Sequence, residues 1–308
     1  MKIVFLDASS IGNASLDGIE KLGELVCHPT STAEEARQRV GNADVIITNK
    51  VVIDAQLMDC APKLKLICEA ATGINNIDTE EAARRGIKVK NVAGYSTESV
   101  VQLTFAMIFD MVCRTGEHSR WIKDGHYSAS PIFTNVSSPY MELDGKTIGI
   151  IGMGTIGHRV AEVAAAFGMQ VIYFSTSGTS HCKDYPSVSL DELLAQSDIV
   201  SIHAPLNDRT RGLLGPEEFG KMKTSAYLVN IGRGGIVNEQ ALADAISGCR
   251  IAGAALDVFT KEPISQDNPL LHTSHPERLT LTPHIGWASS EAIGRLIKAI
   301  EANISEEL

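Results

Sequence analysis

Short runs of consecutive apolar residues alternate along the chain with stretches whose apolar positions recur at helical spacing. KIVFLD, ELVCHP, DVIITN, LKLICEA and IKVKNV are strand-like in the first third, and TIGIIG, QVIYFS, IVSIHAP, AYLVNIG, IAGAALDV and LTLTPH are strand-like further on. Between them STAEEARQRVGN, TEEAARRG, HRVAEVAAAFG, SLDELLAQ and NEQALADAIS read as helices. Strands that are apolar without alternation are buried on both faces, which predicts an α/β fold of parallel sheets sandwiched between helices. Two such series stand apart: one ends near Val92 and the other starts near Thr147. A long apolar helix over about residues 97–114 connects them, and the final helix, SSEAIGRLIKAIEANISEEL, has no further strand to feed. It is expected to pack back on the first series. The prediction is two doubly wound domains, 1–96 plus 287–308 and 97–286. The longest irregular stretch, SASPIFTNVSSPYMELDG, reads as a domain-edge loop.

Composition narrows the partners. The 308 residues carry a formal net charge of −10, with 44% hydrophobic and 21% charged residues. That is ordinary for a globular protein and argues against nucleic acid or an anionic membrane surface, both of which need a Lys/Arg excess. An anionic substrate must therefore be caught by local positive charge. The six cysteines (Cys27, Cys60, Cys68, Cys113, Cys182, Cys249) are scattered, with no C-x-x-C pair and no His/Cys cluster at zinc spacing. They read as reduced thiols of a cytosolic protein, and no metal site is expected. MKIVFLDASS ends its apolar run at Asp7 and reads as a first strand rather than a signal peptide. The most apolar long segment, VVQLTFAMIFDMVCR, is too short and too polar to span a bilayer. A cytoplasmic location follows as the expectation.

GIIGMGTIGHRVAE places Gly152, Gly154 and Gly157 directly after a strand and at the opening of a helix. The first glycine allows a tight turn, the second admits a pyrophosphate to the backbone, and the third lets helix and strand pack closely. The helix opening at Thr155 and Ile156 then offers free N–H groups and a positive dipole end to phosphates. This strand–turn–helix context predicts a Rossmann-like dinucleotide site. About 20 residues on, an acidic residue normally accepts the adenosine ribose hydroxyls. Here QVIYFSTSG puts Ser175 and Thr176 at that place, so the cofactor is NAD or NADP, with NADP modestly favoured. No arginine, the usual partner of a 2′-phosphate, lies between Ser175 and Lys183.

Arg233 (in NIGRGG), Glu262 (in TKEP) and His284 (in TPHIGWAS) each follow a strand of the second series, at the edge where open α/β sheets bind ligands. Singly Glu262 reads as a surface charge, and Arg233 and His284 read equally as loop residues. Together they suit a 2-oxo acid. A guanidinium holds a carboxylate bidentately and polarises the carbonyl, a histidine delivers and recovers a proton, and a carboxylate fixes the histidine's tautomer. No second His or Cys lies at ligand spacing from His284, which leaves metal ligation unsupported.

The set ATGINNID, GMGTIG, IHAPL, NIGRGGIVNE, AALDVFTKEP and TPHIGWAS resembles the D-isomer-specific 2-hydroxyacid dehydrogenase family over nearly the whole chain. The resemblance implies an oxidoreductase with two Rossmann-like domains, the first substrate-binding and flavodoxin-like, and the active site in the cleft between them. It implies catalysis by Arg233, Glu262 and His284, with substrate carboxylate bound by the N–H groups of Thr72 and Gly73. Nicotinamide contacts would include Ile231 and Asp257, with Gly286 beside His284, and His203 and Pro205 would line the adenine side. Trp287 would either close over the substrate or pack at the domain hinge. TNK, GYSTESVVQ and HIGWAS are similar to the glycerate dehydrogenase (hydroxypyruvate reductase) branch, with Asn49, Lys50 and Tyr95 as polar candidates for the substrate. D-lactate or D-3-phosphoglycerate dehydrogenase is the alternative enzyme, and a corepressor-like dinucleotide-binding protein is the alternative class. A homodimer is implied.

Overall fold

The computed structural model describes residues 1–137 and 139–308. In chain order the elements are β1 (Lys2–Phe5), α1 (Asp17–Glu20), β2 (Glu24–Cys27), α2 (Ala33–Arg39), β3 (Val45–Thr48), α3 (Ala55–Asp59), β4 (Leu66–Glu69), α4 (Thr79–Arg84) and β5 (Lys88–Lys90). They continue with α5 (Thr97–Cys113), α6 (Thr115–Lys123), β6 (Thr147–Ile151), α7 (Thr155–Ala166), β7 (Gln170–Phe174), α8 (Leu190–Gln196) and β8 (Ile199–Ile202). The last are α9 (Pro216–Lys221), β9 (Tyr227–Asn230), α10 (Glu239–Ser247), β10 (Gly253–Leu256), β11 (Leu279–Leu281) and α11 (Ser290–Glu307). Short 3-10 turns intervene near residues 8–11, 269–272 and 276–278. The chain divides into two compact units, Met1–Ser96 with Trp287–Leu308, and Thr97–Gly286.

In the first unit five parallel strands take the order β2-β1-β3-β4-β5. Successive side chains of a strand face opposite sides, so Ile3 and Phe5 join one core layer while Val4 and Leu6 join the other. Ala292, Leu296, Ile300 and Ile304 of α11 cover the first layer, and Ala36, Leu57 and Ala82 of α2, α3 and α4 cover the second. The C-terminal helix thus packs on this unit. Local chemistry fixes the helix starts. Thr32 and Glu35 form a reciprocal capping box on α2, and Asp54 caps α3 by accepting the Leu57 N–H.

The strand order reverses between β1 and β3, where a crevice opens at the carboxyl edge of such a sheet. Asp7 lies in it, and its carboxylate accepts the N–H groups of Asn49 and Lys50 at 3.0 and 2.7 Å. At the end of β4, Glu69 is fully buried; Asn76 Nδ2 donates to its Oε2 at 3.0 Å, and Oε1 has no described partner. Burial, with the Asp7 charge adding to it, pushes the Glu69 carboxyl up to about 8. A folded-state value above the unfolded one means that the stability tied to the neutral acid is complete at low pH. It is lost as pH rises from the unfolded carboxylate range towards 8. Glu69→Gln should therefore flatten the fall of Tm between about pH 5 and 8. Parallel wild-type and variant curves would assign that fall to other groups.

In the second unit six parallel strands run β11-β10-β9-β8-β6-β7. Their two faces carry separate apolar layers. Leu193, Leu228, Leu242 and Leu256 lie in one, and Ile108, Ile148, Val160 and Ala255 lie in the other. The helix over residues 97–113, read from sequence as a connector, supplies the second layer through Val101, Phe105 and Ile108. The strand order reverses between β6 and β8, which puts the carboxyl ends of these two strands at the ligand-binding edge of this sheet. Among the described residues no helix is long and apolar enough to cross a membrane.

Candidate active site

The turn after β6 is built for close approach. Gly152 adopts φ +95°, and a side chain at Gly157 would overlap the Gly152 carbonyl, so α7 presses against the strand end only because both are glycine. A Cβ at Gly154 would meet nothing within 4 Å, and no side chain caps α7 there. The N–H groups that open the helix, those of Thr155 and Ile156, thus face open space with no intrahelical acceptor. These features fit a dinucleotide pyrophosphate. Across the strand-order reversal, His203 and Pro205 follow β8. Pro205 is exposed, while the His203 ring pairs through Nε2 with Ser201 Oγ at 2.8 Å and its Nδ1 is shut from solvent without a partner. Burial pushes His203 down to about 4, which makes the ring neutral at pH 7.

At the end of β7 the Ser175 and Ser177 hydroxyls both donate to the Thr179 carbonyl, at 2.6 and 3.1 Å, closing a turn. They are thus partly occupied with their own backbone. The arginine missing from that stretch arrives from elsewhere. Asn207, in the loop after β8, accepts the Arg209 and Thr210 N–H groups at 2.9 and 3.2 Å, and this turn aims Arg209 Nη1 at the Ser177 carbonyl, 2.7 Å away. One guanidinium donor holds the turn, and a guanidinium has five. The only sequence signal for Arg209 was its place at a strand's carboxyl end.

Asp257 organises the remaining site. It follows β10, is fully buried, and accepts the Thr282 hydroxyl at 2.6 Å and the Ile285 and Gly286 N–H groups at 2.8 and 2.7 Å. These bonds bracket His284, which sits at φ +56°, a left-handed conformation rare for a residue with a side chain. A Cβ at Gly286 would come within 2.9 Å of Ile231 Cγ2 and 3.0 Å of Asp257 Oδ2, so Ile231, Asp257 and Gly286 pack on one another under the histidine. His284 Nδ1 lies 2.7 Å from Glu262 Oε2, and the other Glu262 oxygen accepts the Phe259 N–H at 3.0 Å. A carboxylate only accepts, so Nδ1 carries the proton of that bond and Nε2 is the ring nitrogen turned to other work.

Arg233 follows β9. The Asn230 side chain ties its turn by accepting from Gly232 N and donating to the Arg233 carbonyl, both at 3.1 Å. A side chain at Gly234 would overlap the Phe259 carbonyl, so this turn rests directly on the backbone that positions Glu262. The Arg233 side chain is exposed, and its described hydrogen bond is from Nη1 to the neighbouring Gly232 carbonyl at 2.9 Å.

The first unit holds the other predicted residues. Thr72 and Gly73 follow β4; Thr72 Oγ1 donates to the Val92 carbonyl at 3.0 Å and Asn91 Nδ2 to the Thr72 carbonyl at 2.6 Å. Their own N–H groups take part in none of the described hydrogen bonds. Trp287 is half-buried and packs against the apolar layer under α11. Tyr95 is buried in the same layer and Asn49 is buried beside Asp7, leaving Lys50 exposed among the polar candidates.

Residues 105–286 match the family model described as D-isomer specific 2-hydroxyacid dehydrogenase, NAD binding domain. The chain belongs to the D-isomer specific 2-hydroxyacid dehydrogenase family. It is similar to a hydroxypyruvate reductase of Blautia hydrogenotrophica, with 36% identity over 100% of this chain and 97% of that one. Among solved structures, a D-lactate dehydrogenase from Aquifex aeolicus complexed with NAD and lactic acid superposes with a TM-score of 0.85 at 27% identity, covering 100% of this chain and 96% of that one. An acyclic imino acid reductase in complex with NADPH and D-Arg also superposes at 0.85, with 29% identity and coverage of 100% and 98%. As a member of this family the dehydrogenase is an NAD(P)-linked oxidoreductase. The family match spans all of Arg233, Glu262 and His284 together with the glycine turn.

Proposed function

We propose that the dehydrogenase interconverts a small 2-oxo acid and its D-2-hydroxy acid, with hydroxypyruvate and glyoxylate as the preferred oxo acids. The observation that carries this reading is the His284–Glu262 pair at 2.7 Å, held on a loop that Asp257 pins in the same unit as the dinucleotide turn. When bound, the nicotinamide supplies or accepts the hydride. Glu262 holds Nδ1 of His284, which leaves Nε2 to protonate the carbonyl oxygen and to take the proton back in the reverse direction. Arg233 holds the carboxylate and polarises the carbonyl, and the N–H groups of Thr72 and Gly73 add hydrogen bonds to the carboxylate. Ile231 and Asp257 would flank the nicotinamide, Gly286 lets the His284 loop pack closely against them, and His203 and Pro205 would border the adenine. Similarity to the Blautia hydroxypyruvate reductase supports the substrate.

The test is a panel of hydroxypyruvate, glyoxylate and pyruvate, each with NADH and NADPH. Hydroxypyruvate or glyoxylate should have the highest kcat/KM. A site that hydrogen-bonds the 3-hydroxyl of hydroxypyruvate penalises pyruvate, whose methyl group leaves those polar groups unpaired, whereas glyoxylate, with only hydrogen there, leaves room for water to satisfy them. Pyruvate as the best substrate would replace this reading by D-lactate dehydrogenase. Dinucleotide binding without turnover of any oxo acid would favour the binding-protein class.

Both cofactors should be accepted, with NADP favoured. Ser175 offers no charge to repel a 2′-phosphate, and Arg209 brings a guanidinium to the same turn. Ser175→Asp should move the NADP/NAD preference towards NAD by about 1–3 kcal/mol, the scale of one charge set against a phosphate in a partly exposed site. Arg209→Ala should move it the same way. Kd values for NADH and NADPH from nucleotide fluorescence report the ratio directly; a wild type with strong NAD preference, or an unchanged ratio in both variants, would count against this placement.

A homodimer belongs to the same proposal. Ile122 of α6 and Phe133, Val136 and Tyr140 beyond it are exposed large apolar side chains around a groove of ≈ 870 Å³. Such a patch is costly to leave in water. Light scattering would read the mass.

A further inference from the structure

His158, Cys182 and Asp184 form a cluster outside the machinery above, one ligand atom from each lying within 4.8 Å of the others. His158 stands in the first turns of α7, while Cys182 and Asp184 belong to the segment that leads from the Ser175–Thr179 turn towards α8. His158 Nε2 lies 3.1 Å from Asp184 Oδ2. The other ring nitrogen, Nδ1, lies 3.4 Å from Glu162 Oε1, one helical turn on. Glu162 is itself oriented, because Arg159 Nη1 holds its second oxygen at 2.7 Å. The Tyr185 ring packs edge-on to the imidazole, with centroids 5.9 Å apart and planes at 64°. The imidazole is thus flanked by carboxylates on both ring nitrogens, Nε2 by Asp184 and Nδ1 by Glu162, with the Cys182 thiol in the same cluster.

We propose that His158, Cys182 and Asp184 form a site for a borderline divalent cation, zinc by its donor chemistry, with the fourth position open to solvent. Imidazole nitrogen, thiolate sulfur and a single carboxylate oxygen suit zinc, whereas magnesium and calcium require six or more oxygen donors. Ligand atoms around tetrahedral zinc lie roughly 3–4 Å apart, so side-chain rotation alone closes this cluster on an ion. Glu162, 3.4 Å from Nδ1, is within a small side-chain rotation of accepting that nitrogen's proton, which would complete the carboxylate–histidine–metal arrangement that fixes the ring and raises its basicity. On binding, the cation takes the thiolate sulfur as ligand, the thiol proton leaves to solvent, and no redox change occurs; affinity therefore rises with pH and is lost as pH falls. Sequence spacing conceals the site because His158 and Asp184 are 26 residues apart. An occupied site ties α7 to the segment that begins at Ser175. Any effect of zinc on dinucleotide affinity rests on the cofactor reading above, whereas the site itself does not.

The experiment is a titration of reduced, untagged protein with Co²⁺ alone, followed by Zn²⁺. The expected result is one equivalent of cobalt with the visible bands of tetrahedral coordination and a near-ultraviolet thiolate-to-cobalt band, bleached stoichiometrically by zinc. Cys182→Ser should lose the thiolate band, while Cys27→Ser and Cys249→Ser, at the two exposed thiols, should keep it. Asp184→Asn, at a side chain 72% exposed and so harmless to folding, and Glu162→Gln, acting through the ring, should each weaken cobalt binding about tenfold or more. A wild type without the thiolate band, or a band that survives Cys182→Ser, overturns the proposal. Cobalt affinity unchanged in both carboxylate variants also overturns it. None of these outcomes depends on the oxo acid or dinucleotide reading.

Discussion

Replacing His284 by Ala should lower kcat by about 10²–10⁴-fold, the usual contribution of a positioned general acid–base, with a much smaller change in dinucleotide Kd. The expectation rests on the ring's setting. Its Nδ1 is committed to Glu262 at 2.7 Å, and its loop is held by three hydrogen bonds to the Asp257 carboxylate. The left-handed backbone at this residue offers a control for folding. Asn tolerates that conformation better than other residues with a β-carbon, so His284→Asn should keep the wild-type Tm and share the loss of kcat. Glu262→Gln should cost less. The amide can still accept the Phe259 N–H, but the protonated ring loses its negative partner, so reduction should fall off at a lower pH than in the wild type. A His284 variant with near-wild-type kcat would remove this residue from the chemistry, and an unchanged pH profile would remove Glu262 as its partner.

The residues of this dehydrogenase differ in how far their roles could be read from sequence. Strands such as VIIT and IVSI were legible because parallel strands buried on both faces leave uninterrupted apolar runs. α1 and α3 are short, with too few residues for a helical period to emerge from the sequence. Gly152, Gly154 and Gly157 stood out because the turn, the open approach and the helix contact are all made within six residues. Arg209 did not, since its guanidinium reaches the Ser175–Thr179 turn across 32 residues by way of an Asn207-centred turn in another loop. Asp257 was read as a cofactor contact, and nothing in AALDVF announces that its carboxylate also pins the loop of His284, about thirty residues on. Asp7 and Glu69 were passed over for the same reason. Each ends an apolar strand, and only the sheet order brings them to one buried edge. Periodicity thus reports how a segment is buried, whereas the site depends on which strand ends become neighbours.

Arg233→Lys should raise KM and lower kcat together, with kcat/KM falling by about 10²-fold, the worth of one lost hydrogen bond between charged groups at roughly 1.5–3 kcal/mol. Lysine keeps the charge but presents it as a point, and cannot place parallel N–H bonds on a carboxylate while also facing the carbonyl. The loss should appear in both constants because the carboxylate is held in the ground state, whereas the carbonyl oxygen gains charge only as hydride arrives. Folding should be unaffected. The side chain is exposed, its described bond goes to the adjacent Gly232 carbonyl, and the turn is tied by Asn230 through backbone groups that lysine retains. Tm should therefore match the wild type, and the pH profile should keep its shape, since the proton donor is untouched. Arg233→Ala adds a sharper criterion. Guanidinium ion in the buffer should restore part of its activity, while an equal concentration of ammonium should not, because only the planar fork is complementary to the oxo acid. Equal rescue by the two ions, or a Lys variant with wild-type kcat/KM, would show that charge alone suffices and that the bidentate geometry assigned to Arg233 is not used.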